Sequence, residues 1–179
     1  AVFIGSHPMA GSEKTGPAAA REGLFDKAVC ILTPIANTPA DPLQQLDSFW
    51  AAVGCKTLRL TPEEHDDLTG RCSHLPHVVA AGLANYVLSP THAPEQAELC
   101  ATGFRDTTRV ASGSIEMWRD IVMQNREHLQ RVLGVFVEDL EEFRRAVSEG
   151  DEAAVVDFFE TAKKRRDAWQ EEFNKHTES

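Results

Sequence analysis

The chain has 179 residues, of which 42% are hydrophobic and 26% charged, with a net charge of -10 and a pI near 5.1. That is enough chain to bury a sizeable core, and its acidity argues against nucleic acid, whose phosphates need concentrated Lys and Arg. No apolar run approaches the ~20 residues of a membrane span, and no signal peptide is legible.

Ala1-Val2-Phe3-Ile4 reads as a strand already under way with no initiator Met, which points to a piece of a longer gene product. The pattern predicts a strand over Val2 to Gly5, a short helix over Pro17 to Leu24, and a strand over Ala28 to Leu32. The last is a continuous apolar run of the kind buried on both faces. Pro42 to Val53 is an amphipathic helix with Leu43, Leu46, Phe49, Trp50 and Val53 on one side, and Gly54 is its stop signal. Lys56 to Leu60 is the third strand. This β-α-β-α-β order is half of a doubly wound parallel sheet. A G-x-G-x-x-G turn is missing from the sequence, so the cofactor contacts of the first half are not supplied here.

Thr61-Pro62-Glu63-Glu64 combines a capping box with proline at the first helical position, so a helix starts there. This marks the domain boundary, dividing residues 1–61 from 62–179. The helix is predicted to run toward Ser89-Pro90, kinked by Pro76, which frees a carbonyl near residue 72. A short segment from Glu95 to Ala101 leads to a charged loop, Gly103 to Arg109. Ile115 to Val147 then reads as one long helix, with Trp118, Val122, Leu129, Val132, Leu133, Phe136, Leu140 and Phe143 in helical register. Gly150-Asp151 breaks it, and a last helix carries Val155, Phe158, Phe159, Trp169 and Phe173. The two form an antiparallel hairpin whose apolar stripes are long for a small domain, so part of that surface meets another subunit.

Cys30, Cys55, Cys72 and Cys100 form no C-x-x-C pair, which suits reduced, mostly buried thiols in a cytoplasmic protein. The basic run Lys163-Lys164-Arg165-Arg166 is flanked by acids and reads as a solvated helix face.

Three stretches carry chemistry. Gly103-Phe104-Arg105-Asp106-Thr107-Thr108-Arg109 has the composition of an anion site, because an Arg fork matches a carboxylate and a nearby Asp can hold the fork. A charged loop tying two helices together is the bland alternative. His7 follows the first predicted strand, at the carboxyl end of a parallel sheet, where ligands bind in open α/β folds. A neutral imidazole there can accept a hydroxyl proton, or merely cap its own turn. His74 and His77 lie three apart, near Cys72, His65 and Asp66. That spacing is not the i, i+4 of a zinc helix, and a polar lining near the kink is the preferred reading over a metal site.

Ser6-His7-Pro8-Met9-Ala10-Gly11-Ser12-Glu13, Ser73-His74-Leu75-Pro76-His77 and the Gly103 to Arg109 stretch, in this order, resemble the three signature blocks of prephenate dehydrogenases, including arogenate and cyclohexadienyl dehydrogenases. The resemblance spans nearly the whole chain. One departure is large: the family's glycine-rich fingerprint should precede the first block, and only a few residues stand there.

The resemblance implies an α/β partial Rossmann-like parallel sheet, its second half, followed by an all-α helical dimerisation domain that makes a homodimer. It implies oxidative decarboxylation of a cyclohexadienyl alcohol, prephenate or arogenate, by NAD or NADP in tyrosine biosynthesis. His7 would be the catalytic histidine, polarising or deprotonating the substrate hydroxyl. Arg109 would bind a substrate carboxylate, with Asp106 fixing its fork and Glu13 closing an ion pair over the pocket. Ser12 would add a hydroxyl contact and Arg105 a second cation. His77 would contact the substrate side chain, with His74 more structural, and Trp118 would touch substrate, reaching across a dimer. Two other readings stand beside this one: a catalytically silent dimerisation fragment, and another NAD-dependent dehydrogenase with a helical second domain, which the paired histidines disfavour.

Overall fold

The computed structural model describes residues 2–10, 16 and 20–178, with side chains to residue 175. It divides into two compact units, Ala1–Val132 and Leu133–Ser179. Among the described residues no helix is long and apolar enough to cross a membrane.

The first unit opens with a three-stranded sheet in the order β1 (Gly5–Pro8), β2 (Val29–Thr33), β3 (Lys56–Arg59). β2 and β3 are parallel, but β1 runs antiparallel to β2, with His7 opposite Ile31. The expected all-parallel order therefore fails at the first pair. The described part of the β1–β2 connection, Glu22 to Lys27, is turn rather than a crossover helix, and a parallel neighbour would need such a crossover. The helix expected over Pro17 to Leu24 falls partly outside the described residues, and Gly23 and Lys27 sit at φ 69° and 61° in its place. The strand also begins at Gly5 instead of Val2, so His7 lies within it rather than beyond its end.

α1 (Ala40–Ala52) lays Leu43, Leu46 and Trp50 on Cys30, Leu32 and Cys55, and Phe25 and Ala28 complete this core. Phe49 and Val53, expected on the same stripe, face outward. Gly54 ends the turn at φ 93°, where a Cβ would lie 3.2 Å from the Asp26 Cα, so the position suits glycine alone. Cys30 and Cys55 are buried but Cys72 is exposed, and all four cysteines are free thiols. The expected burial thus holds for the two that lie in the sheet core.

α2 (Pro62–Thr69) starts as its sequence requires. Thr61 Oγ1 accepts from the Glu64 amide at 3.2 Å, and Glu64 Oε2 accepts from the Thr61 amide at 2.7 Å. The kink ahead of Pro76 is a π-helical turn over Gly70–His74, in which the Leu75 amide reaches back to the Gly70 carbonyl. Proline has no N–H to continue the ladder, and the wider turn absorbs the mismatch. α3 (Leu75–Val87) follows, then the short α4 (Glu95–Glu98). The stretch expected as a loop is instead α5 (Thr102–Thr108), continued by a 3-10 turn over Arg109–Ser112. Thr108 Oγ1 donates to the Phe104 carbonyl at 2.7 Å, tying off its last turn.

The long helix expected from Ile115 is two, α6 (Ile115–Gln124) and α7 (Arg126–Glu149), separated at Asn125, whose φ and ψ are -104° and 27°. The start of α7 packs on α2: Arg131 pairs with Asp67 at 2.7 Å, and Leu129 and Val132 are buried.

In the second unit, Gly150 at φ 69° turns the chain into α8 (Glu152–Glu178), and the Asp151 carboxylate caps it by accepting from the Ala154 amide at 3.0 Å. Phe143 meets Phe158 and Phe159 at centroid distances of 4.4 and 5.8 Å, closing the expected hairpin.

Candidate active site

A cavity of about 700 Å³ opens within the first unit, and five separate segments build its wall. β1 contributes His7, α2 contributes His65 and Asp66, the π turn His74, the 3-10 turn Arg109, and α6 Trp118. Its volume falls in the range of sites for small molecules.

The π turn makes the histidine wall. Widening the helix exposes the Ser73 carbonyl, which accepts from His77 Nδ1 at 2.9 Å, so the neutral ring keeps Nε2 as an acceptor. His74 is buried, and its Nδ1 lies 3.1 Å from the Asn125 amide nitrogen, a donor, which places the His74 proton on Nε2. Two histidines three residues apart thus present opposite hydrogen-bonding faces. Trp118 stacks on His77 with centroids 3.8 Å apart and meets the edge of His74 at 6.2 Å.

Asn125 closes this network. It is 7% exposed, also donates to the Asp66 carbonyl at 2.7 Å, and keeps its own Oδ1 without a protein partner. The helical period across residues 115–147 hid it, because the sequence reading ran one helix through the break. An amide among apolar positions, followed by a charged pair, was the available signal.

His7 sits at the edge of the cavity, with Nδ1 2.9 Å from His65 Nε2. Partial burial, and then the charge of His65, hold its pKa below the ordinary 6.5. Burial first, and then His7 and His65, push His74 the same way. Both rings are therefore neutral at neutral pH, as a proton acceptor must be.

Of the residues singled out from sequence, His7, His77, Arg109 and Trp118 meet at the cavity. Trp118 lines it stacked on His77 of the same chain. Arg105 and Asp106 pair with each other at 3.1 Å, both side chains about two-thirds exposed or more, and neither lines the cavity. Ser12 and Glu13 lie outside the described residues. No group of three or more His, Cys, Asp or Glu stands ready for a metal ion among the described residues.

A sheet fragment presenting a histidine to a histidine- and arginine-lined helical unit defines a class: chains joining part of a nucleotide-binding domain to a helical dimerisation domain. The family models agree, with a prephenate dehydrogenase nucleotide-binding domain matching residues 1–59 and a prephenate dehydrogenase dimerization domain matching residues 61–164. The chain belongs to the prephenate dehydrogenase family. It is 39% identical over 92% of its length to a prephenate dehydrogenase of Bacillus subtilis, covering 45% of that protein. It is 34% identical over 92% of its length to a cyclohexadienyl dehydrogenase of Zymomonas mobilis, covering 57% of that protein. Among solved structures, it resembles prephenate dehydrogenase from A. aeolicus in complex with hydroxyphenyl propionate and NAD+, at a TM-score of 0.86 and 32% identity. That match covers 92% of this chain and 58% of the other. Synechocystis arogenate dehydrogenase matches at a TM-score of 0.81 and 29% identity, covering 93% of this chain and 61% of that one. The chain spans about half the length of the curated relatives it matches.

Proposed function

We propose that this chain supplies the substrate side of a cytoplasmic, NAD(P)-dependent dehydrogenase that oxidatively decarboxylates prephenate or arogenate. In this reading residues 1–61 are the C-terminal half of a nucleotide-binding domain and 62–179 a helical substrate and dimerisation domain. One observation carries it: His7, His77, Arg109 and Trp118, from four separate segments, converge on one cavity of suitable size.

When bound, the nicotinamide cofactor supplies the hydride acceptor. The sequence has no G-x-G-x-x-G turn, so these residues do not form a pyrophosphate cradle, and the reading assigns that site to residues outside this chain. The chain's own part is orientation and proton handling. Arg109 holds a substrate carboxylate through its guanidinium fork. His77 and Trp118, stacked on one another, form an amphipathic wall for the ring and its side chain. His7, held neutral, takes the hydroxyl proton as that carbon is oxidised and the ring carboxylate leaves as carbon dioxide. Aromatisation drives the step, so precise placement is most of what the protein contributes.

Calorimetric titration of this chain with prephenate, with arogenate and with NAD separately tests the reading. Binding of prephenate or arogenate without NAD is expected. Binding of neither substrate would overturn it, and the exposed aromatic side chains of α8 would then favour a dimerising fragment.

A further inference from the structure

We propose that His65, backed by Asp66, is a positioning residue that fixes the tautomer of His7 and so selects the atom that takes the substrate proton. The inference rests on the reading of His7 as proton acceptor given above. The site residues marked from sequence did not include His65, and neither residue belongs to the three blocks that carry the family resemblance.

The geometry is a chain of two short contacts. Asp66 Oδ1 lies 2.8 Å from His65 Nδ1, and His65 Nε2 lies 2.9 Å from His7 Nδ1. An ionised carboxylate can only accept, so the proton of the His65 ring stands on Nδ1. In the neutral His65 ring the lone pair is then on Nε2, and His7 donates to it from Nδ1. The His7 lone pair is then on Nε2, the nitrogen left for the cavity. The two rings meet edge to face, with centroids 5.2 Å apart at 61°, so the contact also fixes the plane of His7.

The local fold holds the pair in place. Both residues lie in the last turns of α2, whose start is fixed by the Thr61 capping box. Thr69 donates its hydroxyl to the His65 carbonyl at 2.8 Å, and Asn125 donates to the Asp66 carbonyl at 2.7 Å. The His65 side chain is 20% exposed, whereas that of Asp66 is 49% exposed. Asp66 thus stands toward solvent while His65 lies on the cavity side.

In the reaction the hydroxyl proton moves to His7 Nε2, and the resulting imidazolium keeps its Nδ1–H on His65. As the ring aromatises the proton returns from Nε2 to the phenolate oxygen, and His7 recovers its starting tautomer. With the opposite tautomer, His7 would present an N–H to the hydroxyl and could not take its proton.

Three variants in the full-length protein test this: His65→Leu, His65→Gln and Asp66→Asn. His65→Leu should lower kcat about 10–100-fold, the scale for losing a residue that orients a functional histidine, with KM held within about twofold. The Gln amide oxygen can still accept from His7 Nδ1, so His65→Gln should restore most of the rate, and Asp66→Asn should cost less than His65→Leu. Nitrogen-15 NMR of His7, recorded on this chain without substrate, should show an unprotonated Nε2 that becomes mixed in His65→Leu. An active wild-type enzyme whose kcat is unmoved by His65→Leu, or a His7 ring carrying its neutral proton on Nε2, would overturn the assignment. Absence of turnover in the wild-type protein would instead sink the functional reading, and the tautomer measurement separates the two failures.

Discussion

The cavity and the C-terminal hairpin distribute polarity in opposite ways. In the cavity, His74 and Asn125 are buried at 9% and 7% exposure, while in the hairpin Phe159, Trp169 and Phe173 are 60%, 52% and 49% exposed. The buried donors and the His74 ring are tolerated because they are paired: the Asn125 amide nitrogen donates to the Asp66 carbonyl and faces His74 Nδ1. Within the hairpin Phe143, Phe158 and Phe159 cluster, Trp169 stacks on Phe173, and the Arg166 guanidinium lies 4.7 Å over the Trp169 ring. The matching dimerization-domain model reaches into this hairpin as far as residue 164, and exposed apolar surface of this kind suits association. If the cavity serves the chemistry proposed above and the hairpin serves assembly, substitutions should separate into effects on rate and effects on oligomeric state.

The largest expected effect falls on the cavity. In the full-length protein His7→Asn should lower kcat by about 10²–10⁴-fold, the usual contribution of a positioned base, with substrate binding nearly intact. Arg109→Gln should do the reverse, raising KM by about 10–100-fold through loss of a charged hydrogen bond. Steady-state kinetics distinguish them, and small, equal effects from both would break the assignment of two roles to one site. The hairpin should respond differently. Phe159→Asp should shift the protein from dimer to monomer in sedimentation velocity while leaving the His7 and His65 NMR signals in place. A dimer that survives this change would move the association face elsewhere.

The smallest effect sharpens the contrast through pH. His7 and His74 both have folded-state pKa values below the ordinary 6.5, so the unfolded chain binds protons more readily than the folded one. Their contribution to stability is complete above pH 6.5 and is lost as pH falls through the depressed folded values. The Tm of the first unit should therefore fall between pH 7 and pH 5, read by thermal melts at the two pH values, and an unchanged or rising Tm would contradict the buried neutral pair. His74→Asn should flatten that slope, whereas Phe159→Asp should leave it unchanged.

Much of the local structure could be read from residue order. Thr61 to Glu64 specified a capped helix start, Gly54 and Gly150 marked turns at positive φ, and the apolar run around Cys30 became the buried strand. These features depend on contacts within a few residues, which composition and spacing encode directly. The errors share a cause. The β1 pairing direction, the helical winding of Thr102 to Thr108 and the break at Asn125 depend on partners distant in sequence or on competition between nearly equal local states. Spacing alone likewise did not show that Asp106 would pair with Arg105.

The sequence by itself determined the capped start at Thr61, the buried strand around Cys30, the hairpin turn at Gly150 and the family, because caps, apolar runs and signature blocks are local. Only the tertiary structure decided which nitrogen of each histidine is available. His65 and His7 are 58 positions apart, and Asn125 and His74 are 51 apart. An imidazole's tautomer follows from the hydrogen bond made by its other nitrogen, and those bonds exist only after β1, the π turn and the α6–α7 break have been brought together.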